Sequence, residues 1–208
     1  MTQALAAFNA HGLVLATDSR ATRFGADGRP EYFAVKKLFP LGRRLAVLSG
    51  GAGVSVPLSL ALKAEVARRR GLEDPDDLLE FALPFLSRGY ARHLEAHSPG
   101  PEGLQRIYFI LAGFSPELAP PGYRLYLLGS EEGELPLRLS PPANQLVMPR
   151  HLGMEMRLVK VLAQEASLAE LLAISREFLE KQAQAKEEVA PPFYFATITP
   201  AGYREVVD

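Results

Sequence analysis

Thr2-Gln3-Ala4-Leu5-Ala6-Ala7-Phe8-Asn9-Ala10-His11-Gly12-Leu13-Val14-Leu15-Ala16-Thr17-Asp18-Ser19-Arg20-Ala21-Thr22 opens the chain with a hydroxyl residue, two apolar runs and a charged turn. The runs at 3–9 and 12–17 are joined by Ala10-His11-Gly12, which predicts adjacent strands linked by a hairpin. Removal of Met1 leaves Thr2 with a free α-amine. One residue then carries both an attacking oxygen and, with an ordinary pKa near ~8, a base for its proton.

Outward from that stretch, Gly25, Asp27-Gly28 and Pro30 predict a turn over Arg23–Tyr32. Ala34–Phe39 reads as a strand, Pro40–Arg44 as a turn, and Leu45–Ser49 as a buried strand ending in Gly50-Gly51-Ala52-Gly53. The period then becomes helical: Val54, Leu58, Ala61, Leu62 and Val66 share a face up to Arg68-Arg69-Arg70. Asp74-Pro75 starts a second helix, reaching His97 through Pro84, where a kink is expected.

Three strands follow at Gln105–Phe114, Tyr123–Gly129 and Pro136–Leu139, with a short one at Leu146–Met148. Glu155–Gln164 and Ser167–Lys186 read as helices, the second with the capping-box spacing Ser167/Glu170. Phe193–Thr199 and Tyr203–Val207 form a closing hairpin around Pro200-Ala201-Gly202. No linker or repeat interrupts residues 1–208, so one domain is expected. Strands, helix pair, strands, helix pair, strands is an α+β order. Two antiparallel sheets and two helix pairs to cover them predict a four-layer αββα sandwich, one of several α+β arrangements compatible with the order.

Composition excludes several classes of function. A net charge of -1 over 208 residues gives no clustered positive potential for nucleic acid or an anionic membrane. The absence of cysteine removes disulfides, thiolate nucleophiles and Cys-ligated metals. Asn9, His11 and Gly12 break the N-terminal apolar run that an export signal needs, and no stretch is apolar enough to span a bilayer, so a cytoplasmic protein is expected. The i, i+4 pair His93/His97 has zinc-binding spacing but no third ligand, and a solvated helix face accounts for it better. Arg68-Arg69-Arg70 reads as a helix terminus complementing the dipole. Gly50–Gly53 lacks the Lys-Ser/Thr that a phosphate loop requires. No metal or organic cofactor is expected.

Thr2, Gly12–Thr22, Val35-Lys36-Lys37 and Leu48-Ser49-Gly50-Gly51 before a helix together resemble the proteasome β-subunit pattern. The style is closer to the bacterial stand-alone relatives, including the group called Anbu, than to a eukaryotic subunit. The interval from Thr2 to Asp18 matches the family, and that to Lys37 carries a short insertion. The resemblance implies an N-terminal nucleophile hydrolase. Thr2 is its nucleophile, Lys37 lowers the pKa of the hydroxyl and amine, Asp18 holds Lys37, and Gly51 N–H faces the oxyanion. It further implies that Thr22 and Gly51 grip an extended peptide or unfolded protein, with Ala21, Val35, Phe39, Ser49 and Gly53 lining an apolar side-chain pocket. Such subunits form homo-oligomeric rings or stacked rings; the sequence names no ATPase partner. Where the family carries a serine run before its third helix, this chain reads Pro149-Arg150-His151-Leu152-Gly153-Met154. Where it carries an aspartate after the fourth, Lys186-Glu187-Glu188 stands, with a glutamate in reach of the role. A catalytically silent scaffold and a small-molecule amidase are the alternatives.

Overall fold

The computed structural model describes residues 2–25, 28–69, 71–96 and 105–206. It is a mixed α+β structure with two main antiparallel sheets and, among the described residues, four α-helices. The first sheet contains β1 (Ala4–Asn9), β2 (Gly12–Thr17), β10 (Gln145–Met148), β11 (Tyr194–Thr199) and β12 (Gly202–Val206), in the order β10-β1-β2-β11-β12. The second runs β5 (Leu38–Pro40), β6 (Leu45–Gly51), β7 (Ile107–Phe114), β8 (Tyr123–Ser130) and β9 (Arg138–Leu139) in chain order. A separate two-stranded ribbon pairs β3 (Arg20–Phe24) with β4 (Pro30–Ala34).

Strand alternation divides the core. Ala4, Ala6, Leu13 and Leu15 from the first sheet cluster with Leu38, Ala46, Leu48, Ile110 and Ala112 from the second. The intervening residues Leu5, Ala7, Val14 and Ala16 turn the other way, onto α3 (Leu152–Ala163) and α4 (Leu168–Ala185) through Met154, Leu158, Leu171 and Phe178. On the second sheet, Leu45, Val47, Phe109 and Leu111 meet α1 (Ser55–Arg68) and α2 (Pro75–Ala96) through Leu62, Val66, Leu78 and Leu86. Strands buried on both faces have no polar side to alternate, which is why 3–9, 12–17 and 107–114 read as nearly continuous apolar runs. Each fully buried leucine here contributes about 1.5–3 kcal/mol relative to exposure.

Helix starts follow local chemistry. Asp74 Oδ1 accepts the Asp76 N–H at 2.7 Å ahead of Pro75, and the reciprocal Ser167/Glu170 capping box is present at α4. The helix read from Glu155 begins earlier, at Leu152, because His151 Nδ1 accepts the Met154 N–H at 3.1 Å. Histidine is not among the residues that announce an N-cap, so this start carried no signal.

Two readings change around residues 20–39. The expected turn over Arg23–Tyr32 is the tip of the β3–β4 ribbon, whose exposed strands lack the alternation that marks a half-buried strand. The expected strand Ala34–Phe39 shortens to Leu38–Pro40, since the Val35 N–H is taken by Ser19 O at 2.8 Å. Val35–Lys37 is thereby a crossing segment between ribbon and sheet, and it delivers Lys37 to the interior. No helix among the described residues is long and apolar enough to cross a membrane.

Candidate active site

The β1–β2 pairing does not stop at Ala4 opposite Thr17. Gln3 N–H donates to Asp18 Oδ1 at 2.9 Å and Asp18 N–H returns a bond to Gln3 O at 3.1 Å. Thr17 Oγ1 also donates to Gln3 O at 3.2 Å. These bonds fix the chain one residue from Thr2, which is 6% exposed.

Asp18 and Lys37 meet at the same place. Lys37 Nζ lies 3.1 Å from Asp18 Oδ1 and donates to Arg20 O at 2.6 Å, while Arg20 N–H donates to Asp18 Oδ2 at 2.9 Å. The two side chains are 3% and 0% exposed. A lone buried ammonium or carboxylate would be costly; here each charge has the other and at least one backbone partner. Burial pushes the Asp18 carboxyl up from its ordinary range and the Lys37 ammonium down, and their mutual attraction opposes both shifts.

The floor of the site is the end of β6. A Cβ placed on Gly50 would stand 2.8 Å from Thr2 Cβ, so the second sheet approaches the nucleophile candidate closely there. Gly51 follows with φ +86°, and a Cβ on it would lie 2.0 Å from Arg106 O. Both the left-handed backbone and the contact demand glycine. Ser49 N–H donates to Lys37 O at 3.0 Å, tying β6 to the lysine segment. Asp18 and Lys37 thus meet at the residue after Thr2, and Gly50, the neighbour of Gly51, lies against Thr2 itself.

The residues expected to line a side-chain pocket are more dispersed. Ala21 and Thr22 lie on the ribbon, opposite Phe33 and Tyr32. Val35 is in the crossing segment. Phe39 packs into the cluster beneath α1, and Ser49, with its Oγ buried and unpartnered, lies in strand β6 one residue before Gly50. Gly53 is exposed before α1. A cleft of about 150 Å³ sits nearby against Ser19, Arg20, Tyr32, Phe33, Ala34 and Pro191. A larger cavity of about 450 Å³ lies at the Phe8 end of β1, away from Thr2, and has no comparable group of charges.

The alternatives to the Thr2 amine's supporting groups resolve differently. Pro149-Arg150-His151 leads from β10 to the α3 cap, and Arg150 pairs with Glu155 at 2.9 Å. Glu187 and Glu188 are exposed; it is the Glu187 carbonyl, accepting from Arg20, that reaches the site's edge. Ser19 N–H joins this edge by donating to Ala190 O at 3.3 Å. Of the rival motifs, His97 and Arg70 lie outside the described residues, as does Met1. Arg68 and Arg69 pair with Glu65. Among the described residues no group of three metal-ligating side chains occurs. One contributor had no signature at all: Tyr108, inside an apolar strand, donates its hydroxyl to the Thr2 carbonyl at 3.3 Å.

No family model and no curated protein matches the chain. Among solved structures, it is similar to the Gly-1 mutant of Anbu from Hyphomicrobium sp. strain MC1, with a TM-score of 0.66 over 100% of this chain and 86% of that chain, at 16% identity. A likeness at that identity concerns the fold, and the chain's fold is Anbu-like.

Proposed function

We propose that the chain is a four-layer αββα hydrolase of N-terminal nucleophile type, cleaving peptide bonds with Thr2 after loss of Met1. The observation that carries this reading is the fully buried Asp18–Lys37 pair bonded to the residue next to Thr2, with Gly50 against Thr2 on the other side. A buried lysine–aspartate pair is an expensive arrangement unless its charge has a use.

Thr2 Oγ attacks the substrate carbonyl while the α-amine takes its proton, directly or through one water. The Lys37 ammonium favours the alkoxide and keeps the amine neutral, and Asp18 fixes Lys37 through the 3.1 Å contact. Gly51 N–H stabilises the tetrahedral oxyanion, a donor whose removal typically costs about 10²–10³ in rate. The carbon–nitrogen bond breaks, the amine product leaves with the proton, and water then hydrolyses the Thr2 ester. An extended peptide lies along the ribbon strand containing Ala21 and Thr22, held by backbone bonds, with an apolar residue before the scissile bond directed toward Val35, Phe39, Ser49 and Gly53. The fold's likeness to Anbu supports homo-oligomeric assembly, and the exposed row Leu152, Met156 and Val159 on α3 suits a contact between copies.

A silent scaffold is favoured by a different observation: Glu187 and Glu188 are exposed, and Pro149-Arg150-His151 supplies no serine where the amine needs support. Cleavage of fluorogenic apolar peptides by the wild type and by Thr2→Ala separates the two. Activity lost on substitution supports the hydrolase; no wild-type turnover, or turnover surviving the substitution, refutes Thr2 as the nucleophile.

A further inference from the structure

Tyr108 is almost fully buried, at 4% exposure, inside strand β7. Its register partner across the β6–β7 pair is Gly50. A Cβ added to Gly50 would stand 2.4 Å from the Tyr108 hydroxyl oxygen and 2.8 Å from Thr2 Cβ. Hydroxyl and nucleophile residue thus share the space that a side chain at position 50 would fill. The hydroxyl uses that space to donate to Thr2 O at 3.3 Å.

We propose that Tyr108 is a positioning residue for Thr2, and that Gly50 is glycine to admit its hydroxyl; this rests on the reading of Thr2 as nucleophile. A chain terminus is held on one side only, so rotation about the Thr2 Cα–C bond would swing Oγ and amine out of line with Lys37 and Gly51. The bond to the Thr2 carbonyl fixes the Thr2–Gln3 peptide plane from which Cα projects, and the hydroxyl, packed with Thr2 Cβ against Gly50, limits that rotation. Because the bond comes from the second sheet, it also ties the nucleophile to β7, the strand paired with the one that bears Gly51. Burial and the nearby Asp18 charge hold the phenol's pKa above its ordinary value, so it remains a donor throughout the working range and does not compete as a base. The loss of one neutral hydrogen bond within a preorganised site corresponds to about tenfold in rate.

Steady-state cleavage of a fluorogenic peptide is measured for wild type, Tyr108→Phe and Thr2→Ala, with thermal unfolding of each. Tyr108→Phe is expected to lower kcat about tenfold, leave KM within about twofold and keep a cooperative transition. A wild-type kcat in Tyr108→Phe, or a change confined to KM, overturns the positioning role while leaving Thr2 in place. If wild type is inactive, or Thr2→Ala is as active as wild type, the nucleophile reading fails and the Tyr108 role falls with it. Should Tyr108→Phe not fold, Gly50→Ala decides: its methyl would stand against both the hydroxyl and Thr2 Cβ, kcat is expected to fall at unchanged KM, and undiminished kcat overturns the proposal.

Discussion

Replacing Lys37 by Met tests the Asp18–Lys37 pair without inserting a new polar group. At 3.1 Å and an effective dielectric of about 20, the lost attraction is about 5 kcal/mol. Relief of the lysine's desolvation offsets part of it, and stranding Asp18 with only the Gln3 and Arg20 N–H donors leaves a net cost of about 3–5 kcal/mol. In urea unfolding near neutral pH, with a slope of about 2 kcal/mol/M left unchanged, this is a midpoint lower by about 1.5–2.5 M. The pH dependence has a definite sign. Asp18's folded-state pKa is already raised by burial, and removing Lys37 raises it further. A carboxyl with a raised folded pKa favours the native state below its unfolded value of 3.8 and loses that advantage as pH rises through the folded pKa. The deficit of Lys37→Met must therefore shrink on acidification. Adding Asp18→Asn removes the stranded charge, so the double variant should cost less than Lys37→Met alone. A pH-independent deficit of about 0–1 kcal/mol, the scale of exposed pairs such as Arg23–Glu31, would show that the pair is not buried as described.

Gly51→Ala should lower kcat at least about a hundredfold and destabilise by about 1–3 kcal/mol, since φ +86° and the Arg106 carbonyl both oppose a Cβ; activity and melting close to wild type would contradict both roles. The alkaline limb of kcat should fall below the 10.5 of an ordinary lysine, because Lys37 is needed charged and burial lowers its pKa, and the pH profile should lose that limb or move it upward in any active Lys37→Arg enzyme. Ser49→Ala should be neutral or stabilising by up to about 1 kcal/mol in thermal unfolding, as it removes a buried hydroxyl without a partner. Met156→Glu on the exposed α3 row should shift light-scattering mass toward the monomer at unchanged helicity; an unaltered assembly would place the contact elsewhere.

Most elements were legible because their causes are local. The apolar runs at 3–9 and 107–114 are buried on both faces, and Asp74-Pro75 and Ser167/Glu170 cap helices through bonds between near neighbours. The β3–β4 ribbon was not, because exposed strands bury too little to need apolar residues. Nor was the short reach of β5, decided by the contact between Val35 and Ser19 sixteen positions away in the chain. Within the site, Thr2, Asp18, Lys37 and Gly51 stood in recognisable surroundings. Tyr108 did not: its hydroxyl gains meaning only through a strand register that sets it against Gly50, more than fifty residues earlier. Glu187 shows the reverse limit: its acidity suggested support for the Thr2 amine, yet its side chain is exposed and only its backbone carbonyl, accepting from Arg20, meets the edge of the site.

The most direct test of the central claim is intact-mass and fragment analysis after incubation with a peptide epoxyketone, whose two adjacent electrophilic carbons can be joined by a hydroxyl and an α-amine of the same residue. The predicted species begins at Thr2, carries one probe, and has the adduct on Thr2 Oγ and the α-amine, with Thr2→Ala unlabelled. A chain that retains Met1, or a probe located on any other residue, would contradict it.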